Sequence, residues 1–282
     1  MIETLREWSD QFMGADVRIC AAPVANLLEE LTETEMQAVA SSVEIRQHTY
    51  STGRFCAKAA LGLLDISPTE YPEGLVRQSD GSVNWPDGSL GSISHTNDWA
   101  VAAVARTGGQ YASIGIDLEQ IDRVDARVLR LIATDEERAY LQANPALRWG
   151  RVGLFSIKES LYKCLRPLYG EFINFKDVQL SALDRLSAQL SPSSSTVDLI
   201  NNSTDNQVDN QVDNQVDNQV DNSVDNSYAN SLANLPAGKV NVYQPTIELL
   251  EPKLAACCRQ ESIEARVAIL NSHVLSFVSY SQ

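Results

Sequence analysis

A mixed α/β fold is predicted by three features of this 282-residue sequence. Ile114-Gly115-Ile116-Asp117-Leu118-Glu119 alternates apolar residues with acidic or small ones, the period of two that belongs to a strand. Ile157, Leu161, Cys164 and Leu165 fall at i, i+4, i+7 and i+8, the stripe of a helix with one buried face. Hydrophobic residues make up 44% of the chain, enough for a substantial core in one domain or in two closely packed lobes.

Taken in order, Val17 to Ala21 is a strand or loop, and Thr32-Glu33-Thr34-Glu35 opens a helix. Thr32 and Glu35 have the spacing of a capping box, in which hydroxyl and carboxylate each satisfy a free backbone N–H. A second helix is expected from Val43 to Leu64, although Gly53 weakens its continuity. Arg54 and Lys58 share one face of it, while Phe55 and Leu63 mark the other side. Pro68, Pro72 and Gly74 end this region, and Arg77 to Gly88 is rich in turn signals.

Strands follow at Ser92 to Ser94 and at Trp99 to Arg106. The turn Thr107-Gly108-Gly109-Gln110 then predicts an antiparallel hairpin between Trp99–Arg106 and the strand bearing Asp117. A helical stretch runs from Asp122 toward Leu141, broken at Asn144-Pro145, and a further helix from Phe155 to Arg166 is closed by Pro167. Near the end, strand-like Lys239–Tyr243 and His273–Tyr280 flank a helical segment.

Between residues 191 and 236 the composition changes, with Gln-Val-Asp-Asn recurring from Gln207 to Asn222. One valine every four residues builds neither a helical stripe nor a strand face, so a disordered low-complexity insertion is expected. A calcium-binding repeat lacks support, because the glycines of the known nonapeptide type are missing. Apart from this segment no internal repeat is evident.

The formal charge of −15 argues against nonspecific nucleic-acid binding, which depends on neutralising phosphates with Lys and Arg. An anionic ligand would have to be met by a local basic patch. The apolar runs Trp99–Ala105 and Val274–Val278 fall far short of the roughly 18 residues of a membrane span. The opening Met1-Ile2-Glu3-Thr4-Leu5-Arg6-Glu7 lacks the pattern of a signal peptide, so a cytoplasmic location is expected. The cysteines, Cys20, Cys56, Cys164, Cys257 and Cys258, are odd in number and without CxxC spacing, which fits neither a disulfide framework nor a structural zinc site.

Asp117 and Glu119 share one strand face with Gly115, which leaves open space beside them. Two explanations of such adjacent acids stand open: a solvated sheet face, or a divalent cation between them. Glu159 and Lys163, one helical turn apart, make either an ordinary ion pair or part of a ligand site. Asp117, Glu119 and Glu159 together are three hard oxygen ligands suited to Mg²⁺, with positions left for water and phosphate. His95 stands after a strand, where it can donate to a phosphate oxygen.

In combination, Gly91-Ser92-Ile93-Ser94-His95, Ile114-Gly115-Ile116-Asp117-Leu118-Glu119 and Phe155-Ser156-Ile157-Lys158-Glu159-Ser160 with Tyr162-Lys163 resemble the signature of 4′-phosphopantetheinyl transferases. Trp85-Pro86-Asp87-Gly88 and Gly53-Arg54-Phe55-Cys56-Ala57-Lys58 are similar to the branch that contains EntD, the enterobactin synthase component D. The resemblance implies two similar lobes packed about a pseudo-two-fold axis, residues 1–112 and residues 113–190 with 237–282, and coenzyme A in the cleft between them. It implies Mg²⁺-dependent transfer of the phosphopantetheine arm of coenzyme A to a serine of an acyl- or peptidyl-carrier protein. The setting would be siderophore (enterobactin-like) or other secondary-metabolite synthesis, the enzyme acting as a monomer.

By the same resemblance Asp117, Glu119 and Glu159 hold the metal, and Ser94 and His95 contact nucleotide phosphates. Lys163 neutralises the reacting phosphate. Arg46, Arg54 and Lys58 receive the 3′-phosphate and its neighbours, with Arg77 as a further addition. Glu159 accepts the serine proton, by preference through a water, because a carboxylate on Mg²⁺ is a poor base. A Mg²⁺-dependent phosphohydrolase acting on a similar pyrophosphate, or a noncatalytic carrier-binding subunit, are the rival expectations.

Overall fold

The structure, a computed structural model, describes residues 16–79, 81–147, 149–190, 240–270 and 272–281. The Gln-Val-Asp-Asn segment lies outside them. The chain begins with strand β1 (Val17–Pro23) and helices α1 (Glu33–Val39) and α2 (Glu44–Gly62), followed by strands β2 (Ser89–His95) and β3 (Trp99–Arg106). Strand β4 (Tyr111–Gln120), helices α3 (Ala126–Ile132), α4 (Asp135–Ala143) and α5 (Gly150–Tyr169), and strands β5 (Val178–Ser181) and β6 (Leu186–Leu190) come next. After the insertion stand β7 (Val240–Tyr243), β8 (Thr246–Leu249), the short helix α6 (Pro252–Cys257), β9 (Ile263–Leu270) and β10 (His273–Ser281). The fold is mixed α/β with antiparallel sheets ordered β1-β3-β2, β4-β10-β9-β7-β6 and β5-β8.

Alternation along the strands stacks these elements into four layers. Cys56, Ala57, Ala60 and Leu61 of α2 pack on the face of the first sheet that carries Cys20, Ala100, Ala102 and Val104. Its other face, with Ile19, Val101 and Ala103, meets Ile114, Ile116, Leu118, Leu275 and Phe277 of the second sheet. Beyond that sheet, Ile157, Leu161, Cys164 and Leu165 of α5 pack against Val267, Val274 and Val278. Asp117 and Glu119, one residue out of phase with the apolar set of β4, therefore point to the α5 side. Among the described residues no helix is long and apolar enough to cross a membrane.

Several expectations need correction. β3 and β4 form no hairpin: β3 pairs with β1 and β2, whereas β4 pairs with β10, so the Gly-Gly turn carries the chain from one sheet to the other. Helix α2 runs unbroken through Gly53, where an added Cβ would stand 3.1 Å from Ile93 Cγ2 and a small residue lets helix and sheet close up. Pro167 lies inside α5. It forfeits one hydrogen bond in the last turn, and the helix stops at Gly170, whose φ of 76° is open to glycine without strain.

An internal repeat is present after all. β1-α1-α2-β2-β3 recurs as β4-α4-α5-β9-β10, with sheet order β1-β3-β2 matched by β4-β10-β9. In sequence, Gly53, Phe55, Lys58 and Leu61 of α2 correspond to Gly153, Phe155, Lys158 and Leu161 of α5. The helices α1 and α4 open on matching capping boxes, Thr32 with Glu35 and Thr134 with Glu137.

Candidate active site

The site begins with an unusually close approach of helix to sheet. A Cβ at Gly115 would overlap Ser160 O and stand 2.8 Å from Cys164 N, so the space beside the acids is filled by the α5 main chain rather than open. Serines complete the seam: Ser276 Oγ, on β10, lies 2.8 Å from Ser156 Oγ and 2.6 Å from Ser160 Oγ. Small residues on all three elements thus press α5 onto β4 and β10, and bring Glu159 and Lys163 alongside Asp117.

Asp117 and Glu119 are only 3% and 6% exposed, which removes the solvated-face explanation. Asp117 Oδ1 accepts hydrogen bonds from Ser94 Oγ at 2.8 Å and Lys163 Nζ at 2.7 Å, and Lys163 also donates to Ile116 O at 3.1 Å. Asp117 Oδ2 is buried without a hydrogen-bond partner. Glu119 Oε2 has none either, although Arg123 Nη1 stands 3.2 Å away in an unaligned ion pair.

Burial, and then the charge of Asp117, push the Glu119 carboxyl up to about 7. Burial likewise raises Glu159, with Lys163 opposing. Crowded acids with orphaned oxygens are the condition that a hard cation relieves. Among the described residues, however, no group of three His, Cys, Asp or Glu side chains is disposed to hold a metal ion by itself.

A cleft of about 640 Å³ opens beside this point, between α2, the Arg77–Trp85 loop, β2 and α5. Its wall carries Arg46, Arg54, Arg77, His95, Lys163 and Arg166, with Glu159 as the acid among them. Arg46 Nη1 lies 2.9 Å from His95 Nε2, and burial followed by the charge of Arg46 holds the imidazole below its ordinary pKa. His95 thus accepts from Arg46 as a neutral ring. Arg54 is buried, donates from Nε to Leu75 O at 2.7 Å and lies 4.3 Å over the Tyr50 ring. Arg77 is exposed and braces its loop by donating to Gly81 O.

Two expected ligand contacts face elsewhere. Lys58 does not line the cleft; its ammonium is held 2.7 Å from Glu35 Oε2 and donates to Glu30 O at 2.8 Å. Ser94 is also absent from the wall, because its hydroxyl accepts from Leu118 N at 3.3 Å while donating to Asp117. Together with Ser92 Oγ, which accepts from Ile116 N at 3.0 Å, it joins the edge strands β2 and β4 where no backbone ladder does.

Sequence reasoning missed Tyr50, Trp85, Tyr162 and Arg166 as cleft residues. Arg166 was within reach of helical periodicity, three residues beyond Lys163 and seven beyond Glu159. Trp85 explains its motif: the ring lies so close to Gly91 that a Cβ there would stand 2.6 Å from Trp85 Cζ2.

Two family models and several known proteins match this chain. Residues 34–105 match the model of the 4′-phosphopantetheinyl transferase N-terminal domain, and residues 113–224 that of the 4′-phosphopantetheinyl transferase superfamily. The chain is 37% identical over 163 residues to the 4′-phosphopantetheinyl transferase Svp of Streptomyces mobaraensis, a match covering 56% of this chain and 62% of that one. It is 34% identical over 149 residues to PptT of Mycobacterium tuberculosis, covering 52% of this chain and 63% of the relative. With Npt of Nocardia iowensis the identity is 32% over 148 residues, again 52% of this chain and 64% of the other. Each match spans less than two thirds of the relative's own length. With two models of one superfamily matched in succession along the body of the chain, this protein belongs to the 4′-phosphopantetheinyl transferase superfamily.

Proposed function

We propose that this protein transfers the 4′-phosphopantetheine arm of coenzyme A to a serine of a carrier protein, releasing adenosine 3′,5′-bisphosphate. The observation that carries the reading is the junction of a cationic cleft with buried acids, where Lys163 Nζ stands 2.7 Å from Asp117 Oδ1. In the step, the carrier serine oxygen forms a bond to the phosphorus bearing the pantetheine arm. The bond from that phosphorus to the bridging pyrophosphate oxygen breaks, and the serine proton passes to a base.

Asp117 and Glu119 fit Mg²⁺ by donor chemistry, each with a buried oxygen that lacks a hydrogen bond. One or two carboxylates plus substrate phosphates are the usual Mg²⁺ environment, so a three-acid protein cage is not required, and Glu159 is the third candidate. When bound, the metal would supply charge neutralisation at the pyrophosphate. Lys163 adds positive charge at the reacting phosphate, while Arg46, Arg54 and Arg77 offer it to the remaining phosphates. Arg46 shares its site with His95, whose neutral ring orients the guanidinium. Glu159, raised by burial, is placed to accept the serine proton directly or through a water.

The EntD-like branch and a siderophore setting rest on the Trp85–Gly88 and Gly53–Lys58 motifs, while the relatives above carry other names. We also infer two lobes divided near residue 112 and a monomer in the cytoplasm. Incubation with coenzyme A, Mg²⁺ and a panel of apo-carriers tests the proposal by mass spectrometry. Gain of the arm on a carrier serine is expected. Release of adenosine bisphosphate without any gain would instead identify a phosphohydrolase, and neither product would overturn the reading.

A further inference from the structure

Two lysines, one in each half, are occupied away from the cleft in the same way. Lys58 Nζ is 2.7 Å from Glu35 Oε2, and Lys158 Nζ is 2.8 Å from Glu137 Oε2. Each ammonium also takes a carbonyl just ahead of the capped helix, Glu30 O at 2.8 Å and Ile132 O at 3.0 Å. The second oxygen of each carboxylate receives a distant backbone N–H, Leu75 N at 2.8 Å and Leu180 N at 2.7 Å. Lys158 further donates to Phe175 O at 2.7 Å and Val178 O at 2.8 Å. Both carboxylates are buried and fully used, being at the same time the reciprocal members of the Thr32 and Thr134 capping boxes.

An ion pair on a buried carboxylate contributes little net stability over an apolar pair of equal volume, so its presence twice, with Lys158 buried and Lys58 partly exposed, asks for a geometric reason. Each node grips one long helix partway along its length and ties it to a short helix and to a later segment, the loop at Leu75 in one half and strand β5 in the other, which fixes rotation about the long axis. In the first half the tie continues into the cleft: Leu75 donates its N–H to Glu35 and accepts Arg54 Nε at its carbonyl, and Arg54 lines the wall. In the second half Lys158 immediately precedes Glu159 and shares α5 with Lys163.

We propose that the two Lys–Glu nodes are positioning devices for one site. Glu35–Lys58 sets the anion-binding face of α2, and Glu137–Lys158 sets the reacting face of α5. Lys58 is then a positioning residue rather than a phosphate ligand. This inference rests on the transfer reading above. An error of about 1 Å in the placement of reacting groups can cost on the order of a hundredfold in rate, which sets the size of effect to look for.

The test compares two double variants, Glu35→Gln/Lys58→Met and Glu137→Gln/Lys158→Met. Glutamine retains the capping-box acceptor and methionine the length of the lysine stem. In the first, KM for coenzyme A should rise about tenfold with kcat within about threefold; in the second, kcat should fall about a hundredfold with KM within about threefold. Loss of kcat and KM alike in both, in proportion to lost thermal stability, would overturn the proposal. If a double variant does not fold, Lys58→Arg and Lys158→Arg, which keep the charge, should show the same split at smaller size, and no split overturns it. A wild type that modifies no carrier would refute the transfer reading. Calorimetric titration with coenzyme A then decides separately: weakened binding in the 35/58 variant alone supports the nodes, and equal change or none in both variants overturns them.

Discussion

The two halves of this molecule share one scaffold and diverge in what they present at its surface. In α5 the buried anchor Lys158 is followed by Glu159 and, five residues on, Lys163; in the first half the same places after Lys58 hold Ala59 and, just past the end of α2, Leu63. β4 carries two acids, whereas β1, with the sequence Val-Arg-Ile-Cys-Ala-Ala-Pro, carries none. In exchange α2 brings Arg46 and Arg54 to the common cleft. Fold and anchoring are therefore indifferent to chemistry, and the division of labour lies in side chains the core does not need: cations alone from the first half, acids together with Lys163 and Arg166 from the second.

The sharpest way to break this comparison is to remove the acids. Asp117→Ala or Glu159→Gln should lower the single-turnover transfer rate by at least about a thousandfold with the fold retained. At Asp117, relief of an unsatisfied oxygen and of repulsion with Glu119 is outweighed by loss of the acceptor shared by Ser94 and Lys163, so the melting temperature of that variant should fall. A variant of either kind with wild-type rate would move the chemistry out of the second half. Next in size is a pair of glycines. Gly115→Ala must push α5 away from β4 because its methyl would overlap Ser160 O, and should cost about 2–4 kcal/mol in chemical denaturation. Gly53→Ala meets only Ile93 Cγ2, at 3.1 Å, and regains up to about 1 kcal/mol of helix propensity, so its net effect should stay within about 1 kcal/mol. Equal losses would mean that the second seam is no tighter than the first.

How far the sequence discloses this depends on the range of the interaction. The stripe Ile157, Leu161, Cys164, Leu165 and the Thr32–Glu35 cap are set within one or two helical turns, and both form as their spacing predicts. The Gly108-Gly109 turn is an equally local signal, but the pairing of β3 and β4 is decided by which sheet each strand's buried faces fit, and the hairpin fails. Lys58 shares a helical face with Arg54 in sequence, yet its partner Glu35 is twenty-three residues away and takes the charge before any ligand can. The burial of Asp117 is equally nonlocal, because it is Gly115 and the serine seam that let α5 cover the strand. The repeat around Lys58 and Lys158 is present in the letters; four identities in nine residues acquire meaning once both lysines make the same contacts.

The smallest expected effect concerns the histidines at matching sheets, His95 ending β2 and His273 opening β10. Burial is the first cause that holds both below the ordinary imidazole pKa; at His95 the charge of Arg46 adds to it, whereas at His273 Asp98 opposes it. A histidine depressed in the folded state binds fewer protons than in the unfolded chain, so its contribution to stability is complete above the unfolded pKa and is lost as pH falls through it toward the folded value. His95→Gln should therefore flatten the acid limb of the stability curve slightly. Only His95 lines the cationic cleft, while His273 lines a separate cavity with Asp98 and Trp149. Addition of coenzyme A should raise the pKa of His95, because phosphate charge offsets that of Arg46, and leave His273 in place. Nuclear magnetic resonance titration of the two imidazoles with and without coenzyme A reads this directly. A shift at His273 with none at His95 would put the ligand in the wrong cavity and undo the assignment of the first half as the anion-binding side.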